Sequence, residues 1–540
     1  MHLLGKPAAA GRLTRFGDGY RLQAEIRTRP GGFLLTGTVQ GRPGRIEVFR
    51  APAPRRFLLN NWQSWGPCQA LDRSLESVAE RMDGYSPWVF TPVPDVFRKA
   101  VISDSFLAWE DTLVGFLSSR VAHPYFVIEG GEVAGYWEFF GAEPADPIRL
   151  EPLVVLRGAP VEELLESYAD LAGAEEAVRV PRANPVGWSS WYQYFTGLTG
   201  ADLTKNLRLS SQGFPFEVFQ IDDGYEADIG DWLTVKPGFP DPAGLARSIR
   251  EAGFTAGIWT APFSAAETSV LFGRHPDWFV SEGGRPKPCY KGWGKTIYAL
   301  DTTHPGALAW LEETIGAFRR MGYSYFKVDF LFAAAMQGRR HADVTPIQAY
   351  RRGMEAIHRA AGGGFVLACG APLLASLGLC QGMRVGEDTA PFWDPAKSGL
   401  QGPNAYIALK NPILRWFMHR RWWLNDPDCL LLREKDIELT YGEKALYARS
   451  AGLLDAMLIE SDDLELVDGR GRDLLREAVS LKGGRPSVRG VLEDDFYLIE
   501  SSGGPSGRRR YAANLSERPR TIEGQTVAPR SGLFLGSSPI

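Results

Sequence analysis

The stretch Tyr325-Phe326-Lys327-Val328-Asp329-Phe330 sets two charges among aromatic and apolar residues. In an extended chain successive side chains point to opposite faces, so Lys327 and Asp329 share one side while Phe326, Val328 and Phe330 share the other. A helical pattern precedes this run over 305–321, and another follows over 346–361. The unit is a strand with helices on either side, and it recurs. Short apolar runs ending in polar residues or glycine also stand at 186–191, 216–223, 255–262, 365–370, 383–388, 421–426 and 456–461. Counted together with 325–330 they make eight, spread over roughly 280 residues, the usual size of a closed barrel. The pattern predicts an α/β fold with a central (β/α)₈ TIM barrel.

On either side the pattern changes. From Arg12 to about Arg157, alternating segments such as 45–49, 113–117 and 125–129 are punctuated by Gly, Pro and Asp, which marks an all-β domain. Over 160–178, Leu164, Leu165, Tyr168 and Leu171 recur at helical spacing among acidic residues and predict a linking helix. Past Leu481 the β-like segments return at 496–500, 510–515 and 532–536. The expected layout is an N-terminal β-sandwich domain with its linking helix over 1–178, the catalytic barrel over 179–475, and a small C-terminal antiparallel β-sandwich domain over 476–540. No solenoid or propeller period is present.

Composition narrows the class of function. Among 540 residues, 60 basic side chains nearly balance 64 acidic ones, so the net charge of -4 offers no footprint for nucleic acid. Cys68, Cys289, Cys369, Cys380 and Cys429 are odd in number and scattered, which suits a reducing compartment and fits neither a zinc ribbon nor a redox pair. Pro7, Gly11 and charged residues interrupt the first segment where a signal peptide needs an apolar run, and no long uncharged span follows. A cytoplasmic protein without membrane contact is expected; a homo-oligomer is compatible with the sequence. The 16 Trp cluster beside acidic residues, as in sugar pockets, where an indole stacks on the C–H face of a pyranose and carboxylates take its hydroxyls.

In a (β/α)₈ barrel the site lies at the C-terminal strand ends, so charges closing apolar strands are the candidates. That filter returns Asp222 and Asp223, Lys327 with Asp329, Arg384 with Asp388, Asp426 with Asp428, and Glu460. Lys327 beside Asp329 favours an ionised carboxylate, the form a nucleophile requires; a buried ion pair filling the barrel is the plainer alternative. Asp388 supplies a second carboxylate from another strand, and two such groups on one pocket are what glycoside hydrolysis needs. Glu387 beside it is a rival for the acid role. Asp222 and Asp223 suit a paired acceptor for sugar hydroxyls. Trp188, Trp191 and Trp259 fall at or near strand ends and predict a stacking platform, with core packing as the alternative. No His lies near the acidic pairs and no H-x-H or HExxH pattern occurs, so neither a metal nor another cofactor is expected.

With these residues placed, the chain resembles glycoside hydrolase family 36 α-galactosidases, the melibiases, particularly the shorter bacterial and thermophile-type members. The likeness runs through Asn60-Asn61-Trp62-Gln63-Ser64-Trp65-Gly66-Pro67, Gly187-Trp188-Ser189-Ser190-Trp191, 216–223, 257–262, Lys327-Val328-Asp329-Phe330, 388–393 and 423–428. The resemblance implies a retaining α-galactosidase acting on terminal α-galactosides of the melibiose and raffinose kind, with Asp329 as nucleophile and Asp388 as acid and base. It also implies that Asp222 and Asp223 hold the galactose O4 and O6 region. By the same resemblance Lys327, Arg384 and Cys369 lie near the other hydroxyls, Trp191 and Trp259 line the ring, and Trp65 reaches over the barrel mouth from the N-terminal domain. Glu387 and Ser189 depart from the family pattern. A transglycosylase, an α-N-acetylgalactosaminidase and a non-catalytic sugar-binding protein remain as alternatives.

Overall fold

A computed structural model of the chain describes residues 1–72, 100–142, 147–398 and 402–536. Its N-terminal part is two mainly antiparallel sheets. One is ordered Lys6–Pro7, His2–Leu3, Arg45–Pro52, Glu132–Glu138, His123–Glu129 and Val101–Asp104. The other runs from Gly11–Gly17 through Tyr20–Arg29 and Gly32–Gly41 to Arg56–Asn60 and Cys68–Asp72. The sheets meet through apolar side chains on their inner faces, as in the tilted pair of Phe116 and Phe126 with ring centroids 5.0 Å apart. The helix expected at 160–178 spans Val161–Glu175 and buries Leu164, Leu165 and Tyr168. The Tyr168 hydroxyl donates to the Phe116 carbonyl at 2.7 Å, and Trp422 Nε1 donates to the Ala169 carbonyl at 2.9 Å, so this helix bridges the sheets to the rest of the chain.

The strands that carry the site follow. They are β1 (Val186–Ser189), β2 (Val218–Ile221), β3 (Thr255–Thr260), β4 (Tyr325–Val328), β5 (Phe365–Ala368), β6 (Gly382–Arg384), β7 (Leu424–Asp426, resumed at Cys429–Leu430) and β8 (Leu458–Glu460). All pair in parallel, in chain order. The first piece of β7 pairs with β6, the second with β8, and β8 pairs with β1. This is a TIM-like parallel sheet, and its pieces overlap the eight positions that the apolar runs predict, except Cys429–Leu430, which lies just beyond the run at 421–426. The break in β7 is local: Asp428 adopts a left-handed φ of 80°, which turns its carboxylate towards the neighbouring strand ends.

Helices between the strands form for ordinary reasons. Pro305–Met321 starts after His304, whose Nδ1 accepts from the Gly306 N–H at 3.2 Å, and stops at Gly322 in the left-handed conformation. Pro346–Ala361 opens on a capping box between Thr345 and Gln348. Their buried faces, Leu311, Ile315 and Phe318 on one and Tyr350, Met354 and Ile357 on the other, press on the strands. Beyond the last strand lie a four-stranded antiparallel sheet, Arg485–Arg489, Phe496–Ser502, Arg509–Asn514 and Ser531–Phe534, and a two-stranded ladder, Arg520–Ile522 with Gln525–Val527. Asp495 anchors this sheet to the barrel helices, 2.7 Å from Lys410 and 2.9 Å from the Tyr406 hydroxyl. No helix among the described residues is long and apolar enough to cross a membrane.

Candidate active site

At the end of β2, Asp222 is buried among donors. Its Oδ2 accepts from Lys327 Nζ at 3.0 Å, from the Ser189 hydroxyl at 3.2 Å and from the Gln220 amide, while its Oδ1 accepts the Asp223 N–H at 3.0 Å. Lys327 is therefore hydrogen-bonded to Asp222, while its charge also acts on Asp329, the neighbour that strand spacing gives it. The cause is curvature: side chains from β2 and β4 cross the barrel interior, a distance that spacing along one strand does not reveal. Burial works against the Lys327 ammonium, but the Asp222 and Asp329 carboxylates outweigh it and hold its pKa well above the lysine value.

Asp223 points differently. Its Oδ2 accepts Trp293 Nε1 at 2.8 Å, and its Oδ1 is buried with no protein partner. Burial, then the nearby Glu226 carboxylate, push its pKa up strongly. Trp293 had no place in the strand-end reading. It sits at the tip of a β-hairpin, Pro288–Gly292 with Lys295–Ala299, inserted between β3 and β4, with a left-handed φ of 53°. The only local signal for it is the Gly292-Trp293-Gly294 turn between two alternating segments.

Asp329 follows β4 directly. Its Oδ2 accepts Trp259 Nε1 at 3.0 Å, its Oδ1 accepts the Phe330 N–H at 2.8 Å, and the Cys369 thiol donates to it as well. Burial raises its pKa; the Lys327 charge and these donors oppose the rise, and the Asp388 charge adds to it. Lys327 favours the ionised form, as its spacing predicts, and desolvation is the larger, opposing influence. Phe330 takes a left-handed φ of 52°, a costly conformation for a bulky residue, and the turn it makes aims its own N–H at the carboxylate.

Arg384 is the hub of the third group. Its Nη2 lies 2.6 Å from Asp388 Oδ1 and 2.7 Å from Asp428 Oδ2. Asp428 also accepts from the Thr389 N–H at 2.7 Å and from the Tyr192 hydroxyl. Burial pushes the Asp428 pKa up against the Arg384 charge. Asp388 is the open member, with its side chain 33% exposed where Asp428 is 2% exposed. Glu387 is half-buried beside it, and desolvation together with the Asp388 charge holds its pKa well above the carboxylate value.

The N-terminal part reaches this cluster through residues 61–66. Ser64 N donates to the Ala371 carbonyl at 2.9 Å and Leu373 N to the Trp62 carbonyl at 3.0 Å, so the segment pairs with the loop after β5. Trp65 follows, with its Nε1 3.3 Å from Cys369 Sγ and its ring edge-on to Phe330 at 5.0 Å. The remaining aromatic candidates separate. Trp259 joins the cluster through Asp329, and Trp191, half-buried just beyond β1, packs edge-on to Phe195 with centroids 5.1 Å apart. Trp188 belongs to the core: fully buried, stacked on Phe219 at 4.4 Å, and donating to the Asp462 carbonyl. It faces outward because it alternates with Ser189, whose hydroxyl bonds Asp222. Glu460 is likewise wholly buried, with its Oε1 accepting the Asp462 N–H at 3.1 Å. Among the described residues no group of three or more His, Cys, Asp or Glu side chains could hold a metal ion.

Comparison with known proteins bears on this cluster. Residues 25–157 match the family model described as Alpha-galactosidase, N-terminal, and residues 180–358 match the model described as Melibiase. An α-galactosidase from Thermus thermophilus, solved with p-nitrophenyl α-D-galactopyranoside, is 29% identical, with a TM-score of 0.72 over 91% of this chain and 98% of that one. The same protein has been solved with stachyose, at a TM-score of 0.71. Among curated relatives, the α-xylosidase XylQ of Lactiplantibacillus pentosus is 26% identical over 33% of this chain and an Escherichia coli α-galactosidase 28% identical over 33%. The matched stretches span only 23% and 26% of those two relatives. With both family models matched in order, and a solved family member aligned along nearly its whole length, this chain belongs to the glycoside hydrolase family 36 α-galactosidases, the melibiases.

Proposed function

We propose that the chain is a retaining α-galactosidase that hydrolyses terminal non-reducing α-D-galactosides of the melibiose and raffinose type by double displacement. The observation that carries this reading is the unequal pair of carboxylates. Asp329 is 6% exposed and held by an indole, a backbone N–H and a thiol, whereas Asp388 stands 33% exposed on Arg384, close enough for its charge to raise the Asp329 pKa. A fixed, dry carboxylate suits attack on carbon; an accessible one suits proton exchange with a leaving group and with water.

In the first step Asp329 attacks C1 while Asp388 gives its proton to the glycosidic oxygen, and the aglycone leaves. In the second, Asp388 takes a proton from water, the water oxygen bonds C1, and the bond to Asp329 breaks, releasing galactose with its α configuration retained. Asp222 and Asp223 serve the O4 and O6 region. The partnerless Asp223 Oδ1 is the polar atom that a sugar hydroxyl would satisfy, and a site that leaves such an atom unpaired with the wrong epimer rejects it by about 10⁴-fold. The Thermus thermophilus structures holding an aryl galactoside and stachyose support the same substrate class here.

Proton NMR of p-nitrophenyl α-D-galactopyranoside turnover tests the reading. The α-anomer of galactose should appear first and mutarotate later, and Asp329→Gly should not turn over. Initial β-galactose, or turnover by the variant, would exclude double displacement through Asp329.

A further inference from the structure

Arg415 is 0% exposed, and among the described residues no carboxylate pairs with it. Its guanidinium makes four hydrogen bonds instead: Nε to Asn60 Oδ1 at 2.9 Å, Nη1 to the carbonyls of Ser64 at 2.7 Å and Val385 at 3.0 Å, and Nη2 to the Gly66 carbonyl at 2.8 Å. Burial without a counter-ion pulls its pKa down to about 10. An apolar side chain would fill the space without that desolvation cost. What the guanidinium adds is direction, since its donors form a rigid planar fork that a flexible ammonium lacks.

Those donors converge on the sugar site from behind. Ser64 and Gly66 flank Trp65, so their carbonyls pin its backbone on both sides, and Asn60 holds the start of the segment. Val385 follows Arg384, the residue that carries Asp388. The helix bearing Arg415 at its C-terminal end, Ala405–Leu414, reaches the same two places by other bonds. Asn411 Oδ1 accepts the Cys68 N–H at 2.9 Å, and the Asn404 N–H donates to the Asp388 carbonyl at 3.0 Å. One helix thus holds, through both of its ends, the strand carrying the open carboxylate and the segment carrying Trp65 in a fixed relation.

We infer that Arg415 is a positioning residue for sugar binding: its guanidinium locks the Asn60–Gly66 segment against β6, and this keeps Trp65 closed over Cys369 and the ring site. The inference rests on the galactoside reading of the pocket, but the Trp65 position can be tested without it. Closed, Trp65 covers Cys369, which is 1% exposed. In native protein treated with iodoacetamide, peptide mapping should show Cys369 alkylated at least about tenfold faster in Arg415→Lys than in wild type, approaching the rate in Trp65→Ala. The KM for p-nitrophenyl α-D-galactopyranoside should rise about tenfold with kcat changed less, because binding surface is lost while Asp329 and Asp388 stay. In a Trp65→Ala background the same Arg415→Lys change should add less than about twofold to KM, since both changes remove one interaction.

Alkylation of Cys369 at the wild-type rate in Arg415→Lys, or full additivity with Trp65→Ala, overturns the inference and leaves Arg415 a general brace. Where Arg415→Lys does not fold, Asn60→Ala removes one acceptor and keeps the cation; a smaller shift in the same two readouts is expected, and wild-type values overturn it. A wild-type enzyme that leaves the aryl galactoside intact counts against the proposed activity, and the alkylation rates then still decide the role of Arg415.

Discussion

Lys327 Nζ stands 3.0 Å from Asp222 Oδ2, an ion pair that spans the barrel interior from β4 to β2 with both partners less than a tenth exposed. Removing one partner of such a pair strands a buried charge, at a cost of about 3–5 kcal/mol. Asp222 keeps its bonds to Ser189 and Gln220, so Lys327→Met should fall near the lower end of that range. Denaturant unfolding is expected to show a loss of about 3 kcal/mol, and Asp222→Asn combined with Lys327→Met should recover part of it by removing the stranded charge. A Lys327→Met protein as stable as wild type would mean that the pair is not desolvated in solution.

The same lysine pulls the Asp329 pKa down, which fixes the sign of a pH effect. In the proposed double displacement Asp329 must be ionised to attack, so the acidic limb of kcat/KM should rise with pH through its pKa. Burial holds that pKa above the ordinary carboxylate value; the Lys327 charge lowers it and the Asp388 charge raises it. Lys327→Met should therefore move the limb to higher pH. A limb that stays in place or moves to lower pH in this variant would contradict the electrostatic picture.

Asp388→Asn also separates substrates by leaving group. General acid assistance contributes about 10²–10⁴-fold when the departing oxygen needs a proton, and far less for a p-nitrophenolate that leaves unaided. Raffinose hydrolysis should drop by that factor in Asp388→Asn while p-nitrophenyl galactoside bond cleavage drops less, measured as the pre-steady-state burst. Equal losses on both substrates would move the acid role elsewhere, with the adjacent Glu387 as the rival.

Trp293 donates to Asp223 from a hairpin tip, and its ring also approaches Phe330 with centroids 5.0 Å apart. Trp293→Phe keeps an aromatic ring and deletes the donor. Asp223 would then lose its indole partner while its Oδ1 already lacks one, and an unmet buried acceptor costs about 1–3 kcal/mol. Galactose inhibition should weaken about tenfold or more, with a smaller loss for a 4-deoxy analogue that does not use the acid pair. Equal weakening for both sugars would show that the ring, not the N–H, is what matters.

Legibility in the sequence followed the range of the interactions. The barrel strands were readable because each is a short apolar run closed by a polar residue, and Asp329, Asp388, Asp222 and Asp223 stood out because a charge at such an end has few structural uses. The partner of Lys327 was hidden, since it depends on which side chains meet across the barrel. Trp188 was misplaced because a tryptophan on a barrel strand reads alike whether it faces the helices or the mouth. Trp293 and Arg415 lie on no strand; one arrives on an inserted hairpin and the other at a helix end, and both act on residues more than sixty positions away. Trp65 could be named only through the family resemblance, because nothing in residues 60–67 says that they cross to another part of the chain.

Strain marks one more position at the mouth. Phe195 has φ 46° and ψ -145°, a region that glycine alone visits freely, and its side chain is 47% exposed, so little burial compensates the strain. Its ring meets Trp191 edge-on, and its carbonyl would lie 3.0 Å from a Cβ at Gly224, the residue after the Asp222 and Asp223 pair. Phe195→Gly should relieve about 1–3 kcal/mol of backbone strain, offset by the lost edge contact and by the greater freedom of glycine in the unfolded chain. The net expectation is a melting temperature equal to or a few degrees above wild type, together with a higher KM for aryl galactosides as Trp191 loses its neighbour. A clear drop in melting temperature would mean that the ring contributes more packing than its exposure suggests.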